Sequence, residues 1–405
     1  MNKLLDRIFP HRNIKNISMF YILSAVYNSW ITAGVWVFIW GAFMTKTQIG
    51  ISDSITFAIG FLVELPSGVF ADIIGKKKAI LIGNILLTIG NLFVGLSSSF
   101  LGITGWYLVW TIGYAFQSGA TEAHAYDSLK KEGYENNWHQ VISTSTIIGR
   151  VVVLVSTAAG GYLFLLGFRL PYLMTAVISA IGVLAAINLT EIAVKTKPEL
   201  WSFKTYLTQI KEGVGILLKP NILPISLTSL VVLGVGHMYN WGLLRPLTAQ
   251  RFGFTPTTYS LLIATTATIL IFCIFFLKFI QRKIKIEKLI FLIGFLYSIL
   301  FFILGLPHKF LIGGLVMILL SIGLSYTDIL FSQFINGHTS EKHRATTLSA
   351  IALFTKLPYV LLAFVIGKVA ERNMLPQYTV VVGSIAILMW LISIFIFRKN
   401  AYKSV

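Results

Sequence analysis

Apolar runs of about twenty residues recur along this chain, divided by short polar or charged breaks. They lie at 17–41, 52–72, 79–97, 101–128, 140–166, 170–190, 222–246, 257–280, 288–306, 310–336, 345–367 and 376–397. A hydrocarbon core of about 30 Å is crossed by about 20 helical residues, so each run can span a bilayer. The pattern predicts an all-α integral membrane protein with twelve transmembrane helices. One long polar stretch, 191–221, alternates charges with Trp201, Phe203, Tyr206, Leu207 and Ile210, as an amphipathic segment on a membrane surface does. It divides the chain into a six-helix bundle over 1–190, a cytoplasmic linker over 191–221 and a second six-helix bundle over 222–405.

Composition agrees: 56% of the residues are hydrophobic and 12% charged, against about 25% charged in soluble domains. The formal charge of +18 carries topology. With the N-terminus inside, 24 of the 33 lysines and arginines fall in inside segments, seven outside (Arg245 among them), and Arg150 and Lys356 within spans. Both termini are thus expected to be cytoplasmic in a multi-pass protein of the cell's inner (plasma) membrane. Charge spread over loops suits anionic lipid and argues against nucleic acid. The single cysteine, Cys273, excludes an intrachain disulfide. Asp-rich metal clusters, H-E-x-x-H and G-x-x-x-x-G-K-(S/T) do not occur, so neither a metal, a cofactor nor an enzymatic reaction is expected. The expected partners are the bilayer and a small-molecule substrate, and the chain is expected to act as a monomer.

Against this apolar background the few interior charges stand out. In ELPSGVFADIIGKKK (64–78), Glu64, Gly68 and Asp72 follow at i, i+4 and i+8, one helical stripe over about 12 Å. Gly75 and Lys76, Lys77 and Lys78 then form a basic turn. Glu64, Glu122, Arg150, Asp328 and Lys356 fall within spans, where ionisable groups are functional candidates. Glu122 and Arg150 have similar depth and are placed to pair, as Asp328 is with Lys356. His124, between Glu122 and Asp127, is a proton-coupling candidate or a satisfied structural group. The first and seventh spans carry related stretches, YNSW (27–30) and YNW (239–241). Asn28, Trp30, Tyr239, Asn240 and Trp241, with Tyr326 in the tenth span, combine flat apolar surface with hydrogen-bonding groups, as a cavity for an aromatic or amphiphilic molecule needs. Trp36 and Trp40 suit an interfacial belt.

The loop between the second and third spans resembles the signature of the major facilitator superfamily, G-x-L-A-D-(R/K)-x-G-(R/K)-(R/K). Gly68, Ala71, Asp72, Gly75, Lys76 and Lys77 match, with Phe70 and Ile73 departing from it. The preceding Glu64-x-Pro66 resembles the variant of clostridial-type tetracycline efflux proteins over about 14 residues, and nothing beyond the second helix repeats that resemblance. SGATEAHAYDSLKKEG, GFRLPY and HRATTLSA also look like bacterial facilitators. The resemblance implies two pseudo-symmetric six-helix bundles and a cytoplasmic latch in which Asp72 meets Lys76 and Asp127 and faces Thr346 and Thr347. It also implies transport by alternating access across a bacterial membrane, driven by a proton gradient.

Direction is less legible. Aligned on Gly160 and Gly161, the fifth span shows Ser156 and Thr157 where antiporters carry Gly-Pro, and Val152 and Ser143 where they carry earlier glycines. Residues 100–129 hold no Lys or Arg, so the fourth-helix arginine of proton-coupled members is also missing. The expected function is proton-coupled efflux of a small hydrophobic or amphiphilic compound, with Glu64, Glu122, Arg150, Asp328 and His124 as coupling candidates. The alternatives are a proton-coupled importer of a small metabolite and a non-transporting sensor on the same fold.

Overall fold

A computed structural model describes residues 8–192, 203–307, 309–339 and 341–403. Among these it contains sixteen α-helices and no strand: α1 (Lys15–Tyr27), α2 (Trp36–Trp40), α3 (Lys46–Ile74), α4 (Lys76–Leu96), α5 (Phe100–Gln117), α6 (Ala120–Lys131), α7 (Trp138–Leu166), α8 (Leu170–Asn188), α9 (Phe203–Leu217), α10 (Leu223–Asn240), α11 (Leu244–Arg251), α12 (Pro256–Gln281), α13 (Ile286–Ile303), α14 (Phe310–His338), α15 (Glu341–Glu371) and α16 (Leu375–Lys403). Each predicted run coincides with one helix or one consecutive pair. By length and apolar content alone, eight described helices qualify as spans, and α10 with α11, bent by 64°, makes a ninth. The other three runs are helical too, but broken or charged: α1 with α2, α5 with α6, and α3, which carries Asp53, Glu64 and Asp72.

The chain folds into two compact units. The first comprises Met1–Met44, Ile55–Trp201 and Pro256–Ala267, the second Thr45–Ser54, Ser202–Thr255 and Thr268–Val405. The main division thus falls between 201 and 202, within the stretch 191–221, and short segments at the start of α3 and of α12 group with the other unit.

In the first unit α4 packs closely on α5 and α8. In the second, Phe291, Leu330, Phe331, Phe334 and Ile335 form a core that Ile216 and Leu217 of α9 also enter. The end of the linker helix is therefore built into this unit, whereas the sequence suggests a segment resting on the membrane. Its amphipathic face has found protein to cover it. Trp201 lies outside the described residues.

Each unit ends its third span in the same way. The Arg169 guanidinium donates to the carbonyls of Gly95 and Leu96 at 3.1 and 2.6 Å, at the end of α4, and to Ser98 Oγ at 2.7 Å. Arg251 donates to the carbonyls of Leu304, Gly305 and Leu306 at 2.8 to 3.0 Å, just past α13. The last carbonyls of a helix lack intrahelical donors and carry partial negative charge, so a cation with several N–H groups suits them.

Candidate functional site

The lysine-rich turn belongs to the first unit. Gly75 separates α3 from α4 with φ +99°, a conformation that side chains rarely adopt. The Glu191 carboxylate fills the position a Cβ would take, 2.7 Å from it, and accepts from the Lys77 amide at 3.3 Å. Lys76 Nζ meets Asp127 Oδ2 at 2.6 Å, with side chains 13% and 24% exposed.

Asp72 is exposed and makes no hydrogen bond or ion pair among the described residues. Of the three residues expected to meet, the structure brings Lys76 and Asp127 together. Asp127 is the less exposed carboxylate, and a counter-charge is worth more where water screens it less. The packing of Gly68 lies outside the described residues.

His124 is buried, and its Nε2 donates to the Thr190 carbonyl at 3.0 Å. Asn16 binds the same residue from α1, donating to the Thr190 carbonyl at 3.1 Å and accepting from its amide at 2.8 Å. The ring of His124 thus helps to hold the end of the sixth span, the structural role that the sequence offered beside proton coupling.

The interior charges do not form the two pairs expected of them. Glu64, Glu122 and Arg150 are exposed on the first unit and Asp328 on the second. Within apolar spans such groups must face water or protein, since hydrocarbon would be costly. Glu122 and Arg150 form no ion pair among the described residues. Glu122 occupies the first turn of α6, where the positive end of the helix already offsets its charge. Asp328 does not pair with Lys356, which instead lies close enough to act on His237 of α10.

The two related stretches mark the same event in both units: the first helix of each breaks. In YNSW, α1 stops at Tyr27 and Asn28 Nδ2 folds back on the Ser24 carbonyl at 2.8 Å. The Trp30 amide then donates to Ser156 Oγ at 3.0 Å, and Thr157 Oγ1 donates to the Trp30 carbonyl at 3.3 Å. Broken backbone inside a membrane needs such partners. Ser156 and Thr157, the departures from the antiporter pattern, supply them. Gly160 crosses here so tightly that a Cβ would lie 1.9 Å from the Ile31 carbonyl oxygen.

In YNW, α10 stops at Asn240 and the chain bends into α11. Asn240 Oδ1 accepts from Arg245 at 2.8 Å and from Ser321 Oγ at 3.3 Å. The Leu243 amide donates to Tyr359 Oη at 2.8 Å, and Tyr359 donates to the Asp53 carboxylate. Trp241 is 52% exposed. Tyr239 is buried against Phe301, and Tyr326 is buried with its hydroxyl on the Cys273 carbonyl at 2.6 Å. These two tyrosines are core residues, which corrects their place among the cavity candidates; their apolar rings are worth more inside the packed unit than against water.

Beside the break in α1 lies an aromatic stack. On α5, Tyr107, Trp110 and Tyr114 share one face at i, i+3 and i+7. Tyr107 and Trp110 lie 5.2 Å apart at 10°, Trp110 and Tyr114 5.3 Å at 28°, and Tyr114 and Tyr27 4.8 Å at 22°. Trp40 closes the upper end edge-on to Tyr107 at 4.9 Å. The four stacked rings are half-buried. At the other end Tyr27 stacks on Tyr114, joining the end of α1 to the last turn of α5, and Glu64 lies near enough to act on both phenols.

Several of these groups escape a reading by sequence. Asp53 is 1% exposed and Arg245 6% exposed; both look like boundary residues in the chain, yet both are buried in the second unit. Glu191 reads as the start of a linker. The spacing of Tyr107, Trp110 and Tyr114 was a usable signal. Among the described residues no three His, Cys, Asp or Glu side chains converge as a metal site requires.

Residues 18–363 match the family model described as Major Facilitator Superfamily, and the chain belongs to that family. No curated protein matches it significantly. Among solved structures it is similar to the nucleoside transporter NupG, with TM-score 0.75 and 16% identity over 96% of this chain and 99% of that one. It is also similar to a bacterial homolog of the human lysosomal transporter Spinster in an inward-facing, unoccupied conformation (TM-score 0.69, 16% identity, 96% and 98% covered). The POT family transporter PepTSo gives 0.72, 11%, 96% and 98%. The protein is a transporter of this fold and not an enzyme.

Proposed function

We propose that this transporter exports a small hydrophobic or amphiphilic compound in exchange for protons, by alternating access. The observation that carries the reading is Glu64, a carboxylate exposed on its unit within a spanning helix and close to Tyr27 and Tyr114. A carboxylate so placed can hold a proton in one state and release it in the other, and transport follows when proton and substrate favour different states. Efflux is favoured by the Glu64-x-Pro66 resemblance. The lysine-rich end is read as cytoplasmic, in the plasma membrane of a bacterium.

Proton-coupled uptake is the second reading. It is favoured by Ser156 and Thr157, which occupy the antiporter Gly-Pro positions and are engaged with Trp30. Imposing a pH gradient of either sign across proteoliposomes and following labelled compounds separates the two. Export requires uptake into inverted protein to rise when the lumen is acid. Glu64→Gln should abolish the gradient dependence; unchanged gradient-driven flux in that variant defeats the proton-carrier role.

A further inference from the structure

We propose that the junction of α12 and α13 is a binding site for an anionic phospholipid, its phosphate headgroup on the lysine-rich turn and an acyl chain along the phenylalanines of α12. The site belongs to the second unit alone and is independent of the direction of transport.

In this region α12 has two faces. Cys273, Leu277 and Ile280, at i, i+4 and i+7, pack into the core of the second unit. The Cys273 carbonyl accepts from the Tyr326 hydroxyl, and Gln281 donates to Gln333 of α14, each at 2.6 Å. The other face carries Phe272, Phe275, Phe276 and Phe279, between 51 and 68% exposed. Because α12 is long and apolar enough to span, these rings meet acyl chains in a bilayer. The ladder ends in charge: Lys283 Nζ lies over the Phe279 ring at 4.7 Å. An ammonium seated on the last ring marks the level where hydrocarbon gives way to headgroups.

Beyond that ring the cations crowd together. Lys278, Arg282, Lys283, Lys285 and Lys288 are all exposed, and none forms an ion pair among the described residues. Only residues 282–285 separate α12 from α13, a turn too short to let the charges spread. Phe397 packs edge-on against Phe291 at 5.1 Å, which brings the exposed Arg398 and Lys399 of α16 toward the start of α13. The one carboxylate within 278–288 is Glu287. It lies in the first turn of α13, where the helix N-terminus already offsets its charge.

Cations held this close repel one another, and a bound anion relieves the repulsion. The lysine-rich turn of the first unit is built differently, with Asp127 on Lys76 and the Glu191 carboxylate against Gly75. Charge that only orients a loop needs neither a lack of carboxylates nor a ladder of rings leading to it. A basic cluster at the end of a span attracts anionic lipid, and the rings supply the place for its chain.

The test is native mass spectrometry of the purified full-length protein in detergent, titrated with phosphatidylglycerol or with phosphatidylcholine of the same chains. Phosphatidylglycerol should bind about tenfold more tightly, and the preference should shrink as salt rises. Lys283→Gln with Lys285→Gln should remove most of that preference. Lys130→Gln with Lys131→Gln, an equal loss of exposed charge at the end of α6, should leave it intact. Glycerol phosphate at matched ionic strength should fail to displace the lipid, because a headgroup alone leaves the rings unused.

Equal affinity for the two lipids overturns the proposal. So does equal sensitivity to the two pairs of substitutions, which would mean diffuse attraction to the basic loops. Displacement by glycerol phosphate overturns it as well, by showing an anion site with no use for the chain. All four substituted lysines are exposed, so the variants should stay monodisperse and each comparison can be read.

Discussion

Both units break their first helix after a Tyr-Asn pair, yet they hold the broken backbone by different means. In the first unit the partners are neutral: Ser156 and Thr157 on α7, at a crossing where Gly160 admits the Ile31 carbonyl. In the second unit they are charged or backed by charge, with Tyr359 between the Leu243 amide and Asp53, and Arg245 on Asn240. Hydroxyl partners cost little to desolvate. Buried ions cost more and are worth more once paired. The same interruption is therefore held by neutral hydroxyls at a tight crossing in one unit and by bonds to buried charged residues in the other.

The largest effect should come from attacking the packing. Gly160→Val would put a side chain into the Ile31 carbonyl and should cost about 3 kcal/mol or more, read as loss of monodisperse protein and a lower melting temperature in detergent. Next is Tyr359→Phe, which removes the acceptor of the Leu243 amide and the donor to the Asp53 carboxylate and should cost about 2–3 kcal/mol. Restoration of stability on adding Asp53→Asn would show that the loss runs through Asp53.

Lys76→Met should cost less, about 1–2 kcal/mol, because Lys76 and Asp127 keep some contact with water. A double-mutant cycle with Asp127→Asn measures the coupling. Thr157→Val should be smallest, about 1 kcal/mol, for one hydroxyl bond to the Trp30 carbonyl. If Thr157→Val costs as much as Tyr359→Phe, the distinction between the two breaks fails.

The spans were legible because the bilayer imposes length and apolarity on any chain that crosses it. The two tyrosine-asparagine stretches were legible as a repeat, although not as helix breaks: nothing in YNSW itself forces α1 to end, and the partners that stabilise the opened backbone lie over a hundred residues away at Ser156 and Thr157. Asp53 and Arg245 were hidden for a related reason. A charge near the end of an apolar run looks solvated until packing shows what covers it.

Tyr239 and Tyr326 failed in the opposite sense, since a tyrosine suits a cavity wall and a core equally well. The face of Tyr107, Trp110 and Tyr114 was written plainly in its spacing. It went unread because aromatic residues in spans also form interfacial belts.

Glu191 has a mechanical consequence. Its carboxylate occupies the place where Gly75 has no side chain and holds the Lys77 amide, so the segment that leaves the sixth span is moored before it departs. Thr190 beside it is held by Asn16 and His124, so two consecutive residues tie the exit of the sixth span to α1, to α6 and to the turn between α3 and α4, all within one unit.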